Sequence, residues 1–270
     1  MCIRDSGNKI KIIGVGGVDS GISAYNKFIA GASYVQLYTG MVYEGPYIIK
    51  KILDELREIL ISKKIKNLPK VFNVKQGGLL DILVDQNSGS KRTVYICYSS
   101  KITNGSSTSL LVGEIKENEL IKKKVLFRAN NISDSGVHFG CRLAILGNEI
   151  FMSIGDRGNR YEAQDANSHA GSVIRVNKYD GSTKGKMAYN SWPAEVYTKG
   201  HRNPQGMAIN SKTNEIWVNE HGPKGGDEIN VLKPGKNYGW PIVTYGEEYW
   251  GGKIGQGLSL IHISEPTRPY

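Results

Sequence analysis

Cysteine is scarce in this chain, with three among 270 residues: Cys2, Cys97 and Cys141. The last two lie in apolar stretches without metal-type spacing. Two buried thiols is the plain reading, and a disulfide stays open. The lysines lack interleaved aromatics and no nucleic-acid motif accompanies them. The formal charge of +10 and pI near 9.3, with runs such as Lys122 to Lys124, therefore read as a solvated basic surface. No nucleic-acid partner is expected, and the chain carries no transmembrane segment. What is present, 39% hydrophobic and 22% charged residues with 33 Gly and 9 Pro, is the composition of a turn-rich globular protein of one large or two modest domains.

The two ends are related to each other. One codon choice for Leu258 to Ile263, CTG TCT CTT ATA CAC ATC, has a reverse complement that, read from its ATG, encodes Met1 to Asp5. This resembles a reading frame running into a transposon-type sequencing adapter on both sides. Residues 1–6 and 258–270 are accordingly expected to be adapter-derived, with the true start and stop elsewhere. The absence of a signal segment then says nothing about localisation, which is left unknown for the chain as written.

Between the ends the chain has two grammars. Residues 7–62 alternate strand and helix. "KIKIIGVGGV" is an apolar run of the kind buried in a parallel sheet; "ISAYNKFIAG" is a helix stopped by Gly31; "ASYVQLYTG" is a second strand. "YIIKKILDELREIL" is a helix with Ile48, Ile49, Ile52, Leu53, Leu56, Ile59 and Leu60 on one face. After a junction at 63–70, residues 71–257 carry short alternating strands. "RTVYICYSS", "NEIFMSIGD" and "NEIWVNEHG" read as three copies of one strand, each preceded by an apolar segment: "GGLLDILVD", "CRLAILG" and "QGMAIN". Val94, Ile150 and Ile216 align at spacings of 56 (150 − 94) and 66 (216 − 150) residues, longer than the roughly 40 to 50 of a compact propeller blade. Loop insertions account for the excess. The expected fold is mostly β, a partial β-propeller preceded by a βαβα fragment, with a sandwich as runner-up.

The stretch "IIGVGGVDSGISAYNKFIAGASYVQLYTGMVYEGP" resembles the C-terminal end of quinone-linked (class 2) dihydroorotate dehydrogenases, which are FMN-containing (β/α)₈ TIM barrels. The resemblance implies a phosphate cradle for FMN from Gly16, Gly17, Tyr38, Thr39 and Gly40. It also implies that most of the barrel and its catalytic base are missing, so this part alone does not oxidise dihydroorotate. The parent family works at the cytoplasmic face of the membrane.

The motifs "GVHFGCRLAI", "IGDRGNR", "GHRNPQGMAIN" and "NEHGPKGGDEINVLKPGKNYGWP" resemble, from about Asn67 to Gly257, the pyrroloquinoline-quinone-dependent aldose sugar dehydrogenases of the glucose/sorbosone dehydrogenase family, six-bladed propellers of the periplasm. The resemblance implies His138 as the base for the sugar hydroxyl, oriented by Asp156. Arg202 would stabilise charge at the quinone oxygen, with Asn203 and Gln205 lining the cofactor. The backbone carbonyls of Gly222 and Pro223 would ligate the quinone-linked Ca²⁺. Glu228 and the backbone of Tyr238, with Tyr249 as a further candidate, would form a second, structural Ca²⁺ site. Blades present in the family are missing here, so the enzyme is incomplete as written.

Three functions compete: a quinoprotein fragment that moves hydride from an aldose C1 hydroxyl to pyrroloquinoline quinone and thence to an electron acceptor; FMN-dependent dihydroorotate oxidation from the N-terminal fragment; and a non-catalytic propeller platform. Retention of His138, Asp156 and Arg202 favours the first. An assembly chimera of two genes is expected rather than a natural fusion.

Overall fold

The computed structural model describes residues 13–15, 17–29, 32, 34–37, 39–62, 66–85, 92–116 and 119–255. They form two compact units. One runs from the start of the chain to Leu68 with Lys116–Leu120, the other comprises Pro69–Ile115 and Ile121 onward.

In the first unit β1 (Ile13–Val15), α1 (Gly21–Ile29), β2 (Tyr34–Gln36), α2 (Thr39–Glu44) and α3 (Tyr47–Ser62) follow in order. β1 and β2 pair in parallel, with Ile13 opposite Tyr34, which requires a crossover and finds it in α1. Ser20 caps α1, exchanging hydrogen bonds with Ser23. Ile48, Ile52 and Leu56, four residues apart, form the stripe by which α3 packs on Val18 and Ala24. The buried face of α3 is narrower than its apolar pattern: Ile49 and Leu53 are exposed, because α1 covers a single stripe.

The second unit holds three antiparallel sheets. The first is β3 (Leu79–Val84), β4 (Thr93–Ile102), β5 (Gly105–Lys116) and β6 (Glu119–Arg128); the second β7 (Gly140–Leu146), β8 (Glu149–Ile154), β9 (Ser172–Asn177) and β10 (Val196–Lys199); the third β11 (Pro204–Ile209), β12 (Ile216–Glu220) and β13 (Glu228–Leu232). Each is a simple meander. The three repeated segments are the second strands β4, β8 and β12. The aligned residues hold the same station in each: Val94 pairs with Val84, Ile150 with Ile145, and Ile216 with Ile209.

The first strands of the sheets lie side by side, β7 packing on both β3 and β11. Strand alternation gives the middle sheet two apolar faces. Ile150, Met152 and Ile154 meet Tyr95, Cys97 and Leu110 of the first sheet, while Phe151 and Val173 meet Ile216, Val218 and Leu232 of the third. A two-sheet sandwich has no sheet covered on both faces, so the arrangement is that of a partial β-propeller. On the far face of the third sheet Trp217 and Ile229 are exposed.

Cys97 and Cys141, fully buried with Cα atoms 5.7 Å apart, form a disulfide that ties β4 of the first sheet to β7 of the second. The open alternative is thus resolved by topology: sheet stacking brings together two residues 44 apart in sequence. No helix among the described residues is long and apolar enough to cross a membrane.

Candidate active site

The loops at one end of the second unit's sheets surround a cleft of about 110 Å³, lined by His138, Asp156, Arg160, Arg202, Pro223 and Trp240 with Glu248, Tyr249 and Trp250 at its margin. His138 precedes β7 and Asp156 follows β8, and antiparallel pairing brings those two strand ends together. Gly155 permits the approach, because a Cβ there would stand 2.1 Å from the His138 carbonyl oxygen. His138 has a φ of 50°, a left-handed conformation uncommon for a residue with a side chain. It is held on both sides: its N–H donates to Gln76 Oε1 at 2.7 Å, and its carbonyl accepts from Arg157 N at 3.3 Å.

His138 Nδ1 lies 2.7 Å from Asp156 Oδ1. The Asp156 side chain is 1% exposed and that of His138 17%, so the carboxylate is sealed behind an imidazole that reaches the cleft. Asp156 Oδ1 also accepts from Gly158 N and Oδ2 from Trp240 Nε1, both at 2.8 Å. In the neutral imidazole, a carboxylate acceptor at Nδ1 selects the tautomer with its proton there and its lone pair on Nε2.

Arg202, between β10 and β11, donates through Nη1 to the carbonyls of Gly222 at 2.7 Å and His221 at 3.1 Å. Its backbone N–H is fixed by Glu220 Oε2 at 2.7 Å. Arg202 and Arg160 stand 5.4 and 5.6 Å from the Trp240 ring. Arg160 is paired through both terminal nitrogens with Glu248, a contact that raises the guanidinium pKa and lowers that of the carboxyl. The cleft thus combines an accessible imidazole, an Arg160–Glu248 pair, an aromatic plane and in Arg202 a guanidinium outside any described ion pair, the group suited to meet an anionic ligand.

Asn203 and Gln205 are not among the residues lining the cleft. Asn203 Oδ1 accepts from Gln205 Nε2 at 2.8 Å and from Gly140 N at 3.3 Å. The Gln205 carbonyl accepts from Arg142 Nε at 2.6 Å, and Arg142 also reaches Leu80 O, tying all three first strands together. Glu228 lies directly across from Glu220 in the β12–β13 register, and Asn230 Nδ2 donates to both carboxylates. Burial first, and then the Glu220 charge, push the Glu228 pKa up. Glu220 also takes His201 Nδ1 at 2.8 Å, and Tyr238 stacks on that imidazole at 4.8 Å. Glu228 and Tyr238 therefore share one polar cluster, whereas Tyr249 lies at the cleft. Among the described residues no three His, Cys, Asp or Glu side chains gather as metal ligands. A cation in the cleft would rest on backbone oxygens, and the carbonyls of His221 and Gly222 already converge on a positive group. That donor chemistry fits a hard cation.

In the first unit Gly16 and Tyr38 lie outside the described residues. Gly17 is exposed with a φ of 60°, and Thr39 and Gly40 open α2.

Sequence reasoning gave no role to Trp240, Arg160, Glu248 or Gln76. Trp240 and Arg160 sit inside the quoted motifs "NYGWP" and "IGDRGNR"; nothing local marks Glu248 or Gln76.

A stack of antiparallel sheets with a His–Asp pair and two arginines in its end cleft places the second unit among the β-propellers. The family model Glucose / Sorbosone dehydrogenase matches residues 52–270, and the chain belongs to that family. It is similar to the soluble aldose sugar dehydrogenase of Escherichia coli in its apo-form, at 34% identity and TM-score 0.68 over 72% of this chain and 58% of that one. It is also similar to the PQQ-bound aldose sugar dehydrogenase of Streptomyces coelicolor, at 27% identity and TM-score 0.56 over 70% of this chain and 55% of that one. The model Dihydroorotate dehydrogenase matches residues 2–60. There the chain is 49% identical to the quinone-type dihydroorotate dehydrogenase of Synechococcus elongatus over 65 residues, 24% of this chain and 17% of that protein. The chain spans about half the length of the curated relatives it matches, 46 to 54%.

Proposed function

We propose that the second unit is part of a quinoprotein that oxidises an aldose at its C1 hydroxyl, using pyrroloquinoline quinone and Ca²⁺ and passing electrons to a further acceptor. The observation that carries this reading is the 2.7 Å contact between accessible His138 and sealed Asp156, in the cleft that holds Arg202. When bound, the quinone supplies the two-electron acceptor for the C1 hydrogen, polarised by the metal. His138 Nε2 takes the C1 hydroxyl proton, and Asp156 holds the ring in the required tautomer and offsets the imidazolium charge. Arg202 and Arg160, beside Trp240, would hold the anionic cofactor, and Arg202 would be the donor that stabilises the charge developing on it. The carbonyls of Gly222 and Pro223 are the metal donors in this reading; Glu228 and Tyr238 serve a second cation.

The test is made on this chain joined to the remaining sheets of its family. It should bind the quinone with quenching of Trp240 fluorescence and oxidise aldoses with a dye acceptor, without NAD or FMN. His138→Ala should keep the quinone while kcat falls by roughly 10² or more. Turnover by that variant at the parent rate would overturn the assignment. The Cys97–Cys141 bridge supports an oxidising compartment such as the periplasm.

The two family matches, meeting at residues 52–60, support the reading of two joined pieces, the first from an FMN barrel whose cradle would be Gly16, Gly17, Tyr38, Thr39 and Gly40. Sequencing of the source locus across residues 52–70 should separate into two genes. One uninterrupted genomic read would refute a chimera.

A further inference from the structure

We propose that Arg202 is a latch on the metal position of the cleft: its guanidinium occupies the Gly222 carbonyl as a stand-in cation, and Ca²⁺ binds well only after an anionic ligand has drawn the guanidinium away. This rests on the reading of Gly222 as a calcium donor. The two arginines of the cleft differ in their partners. Arg160 has a carboxylate, Glu248, on both terminal nitrogens. Arg202 is 9% exposed, none of the described ion pairs includes it, and its Nη1 rests on the neutral carbonyls of Gly222 at 2.7 Å and His221 at 3.1 Å.

A guanidinium keeps its proton at any ordinary pH. Its hydrogen-bond acceptors here are neutral carbonyls, and the Glu248 carboxylate acts on it only through space. Such a group prefers an anionic oxygen to a carbonyl, because charge-assisted bonds are roughly twice as strong. A divalent cation arriving first would face both an occupied oxygen and a fixed like charge at contact distance. An anion arriving first removes both obstacles. Trp240 guides the change, since its ring stands 5.4 Å from the guanidinium and forms a flat wall along which it can swing while Glu220 keeps the backbone of Arg202 in place. Metal and anionic cofactor therefore enter as a coupled pair, and the coupling is reciprocal.

The test is calorimetric titration of Ca²⁺ into the full 270-residue chain carrying Glu228→Gln, so that only the cleft is read. Without quinone, Arg202→Ala and Arg202→Gln should each tighten Ca²⁺ binding by about tenfold or more over the Arg202 parent, as Coulomb repulsion at contact distance requires. In the parent, prior addition of pyrroloquinoline quinone should produce the gain instead. Arg160→Ala combined with Glu248→Gln alters the same cleft without touching Gly222 and without freeing a carboxylate for the metal, and should change quinone-free binding much less. Equal Ca²⁺ affinity in the Arg202 variants and the parent overturns the latch, as does an equal gain from the Arg160/Glu248 double variant, which would mean a general loosening of the cleft. If neither the parent with quinone nor any Arg202 variant takes up Ca²⁺, the calcium reading of Gly222 fails and the latch with it. Near-UV circular dichroism confirms that each variant keeps the parent's packing. Two variants, Arg202→Ala and Arg202→Gln, keep the test decisive if one of them is unstable.

Discussion

Trp240 Nε1 donates to Asp156 Oδ2 at 2.8 Å, across 84 residues of sequence, so the carboxylate that orients His138 is itself oriented by an indole. Trp240 is in turn anchored through its backbone, N–H to Gly200 O at 2.9 Å and carbonyl to Gln164 Nε2 at 2.6 Å. Trp240→Phe keeps the aromatic wall and removes one donor from a buried carboxylate. Hydrogen bonds to charged groups contribute about 1.5–3 kcal/mol. The chain should lose stability of that order in denaturant melts, and the completed enzyme should lose about tenfold in kcat with KM little changed. A Phe variant as active and as stable as the parent would remove Trp240 from the site.

Asp156→Asn should be worse than its small change in shape suggests. Gly158 N and Trp240 Nε1 each require an acceptor, one on Oδ1 and one on Oδ2, and an amide offers an oxygen on one side only. Whichever way the amide turns, one N–H meets another. Loss of about 10² or more in kcat is expected, together with lower stability. Steady-state kinetics and thermal melts on the same preparation separate the two effects.

Glu228 sets a pH dependence. Its native pKa is raised by burial and by Glu220, so the folded state binds this proton more tightly than the unfolded chain. The stabilisation is complete below the unfolded carboxylate value and is lost as pH rises through the raised native value. Without Ca²⁺, Glu228→Gln should flatten that decline and be the more stable protein at neutral pH. With Ca²⁺ present the parent should regain stability and the variant should not. Thermal melts from acid to neutral pH, with and without the ion, decide the matter; a Ca²⁺ gain undiminished in the variant would remove Glu228 from the second cation site.

The Cys97–Cys141 bridge closes a loop of 44 residues, for which the chain-entropy relation gives about 4 kcal/mol. Replacing both with Ala should lower the denaturant midpoint accordingly and loosen the first sheet from the second. Hydrogen exchange should report faster opening in β4 and β7 than in β12.

Val42, Tyr43, Tyr47, Ile49 and Leu53 of the first unit, and Trp217 and Ile229 of the second, are exposed. Such surfaces associate. The purified chain should elute as a mixture of oligomers and bind a hydrophobic dye. A monodisperse monomer in light scattering would contradict this.

Much of this was legible in the residues. The three second strands announce themselves because a buried strand writes its alternation locally, and their aligned residues fall at matching stations in the register. His138, Asp156 and Arg202 stand in motifs with family spacing, and the fold gathers them in one cleft. Three features were hidden for one physical reason, that long-range contacts leave no local pattern. The Trp240–Asp156 bond is one. The second is the disulfide, which sheet stacking decides. The third is the pairing of Arg160 with Glu248, 88 residues away. The exposed Ile49 and Leu53 make the converse point: periodicity shows which face of a helix could be buried, while its neighbours determine how much of it is.

The station shared by Val94, Ile150 and Ile216 carries a consequence for how such a protein can change. The turns leading to these residues differ in length, yet the pairing of Val84, Ile145 and Ile209 with them is the same. Turn length is thus uncoupled from strand register. Lengthening a surface loop costs little in closure entropy. These turns lie at the end of each sheet opposite His138 and Asp156, so that end can take insertions and deletions while the strands that carry the cleft keep their frame.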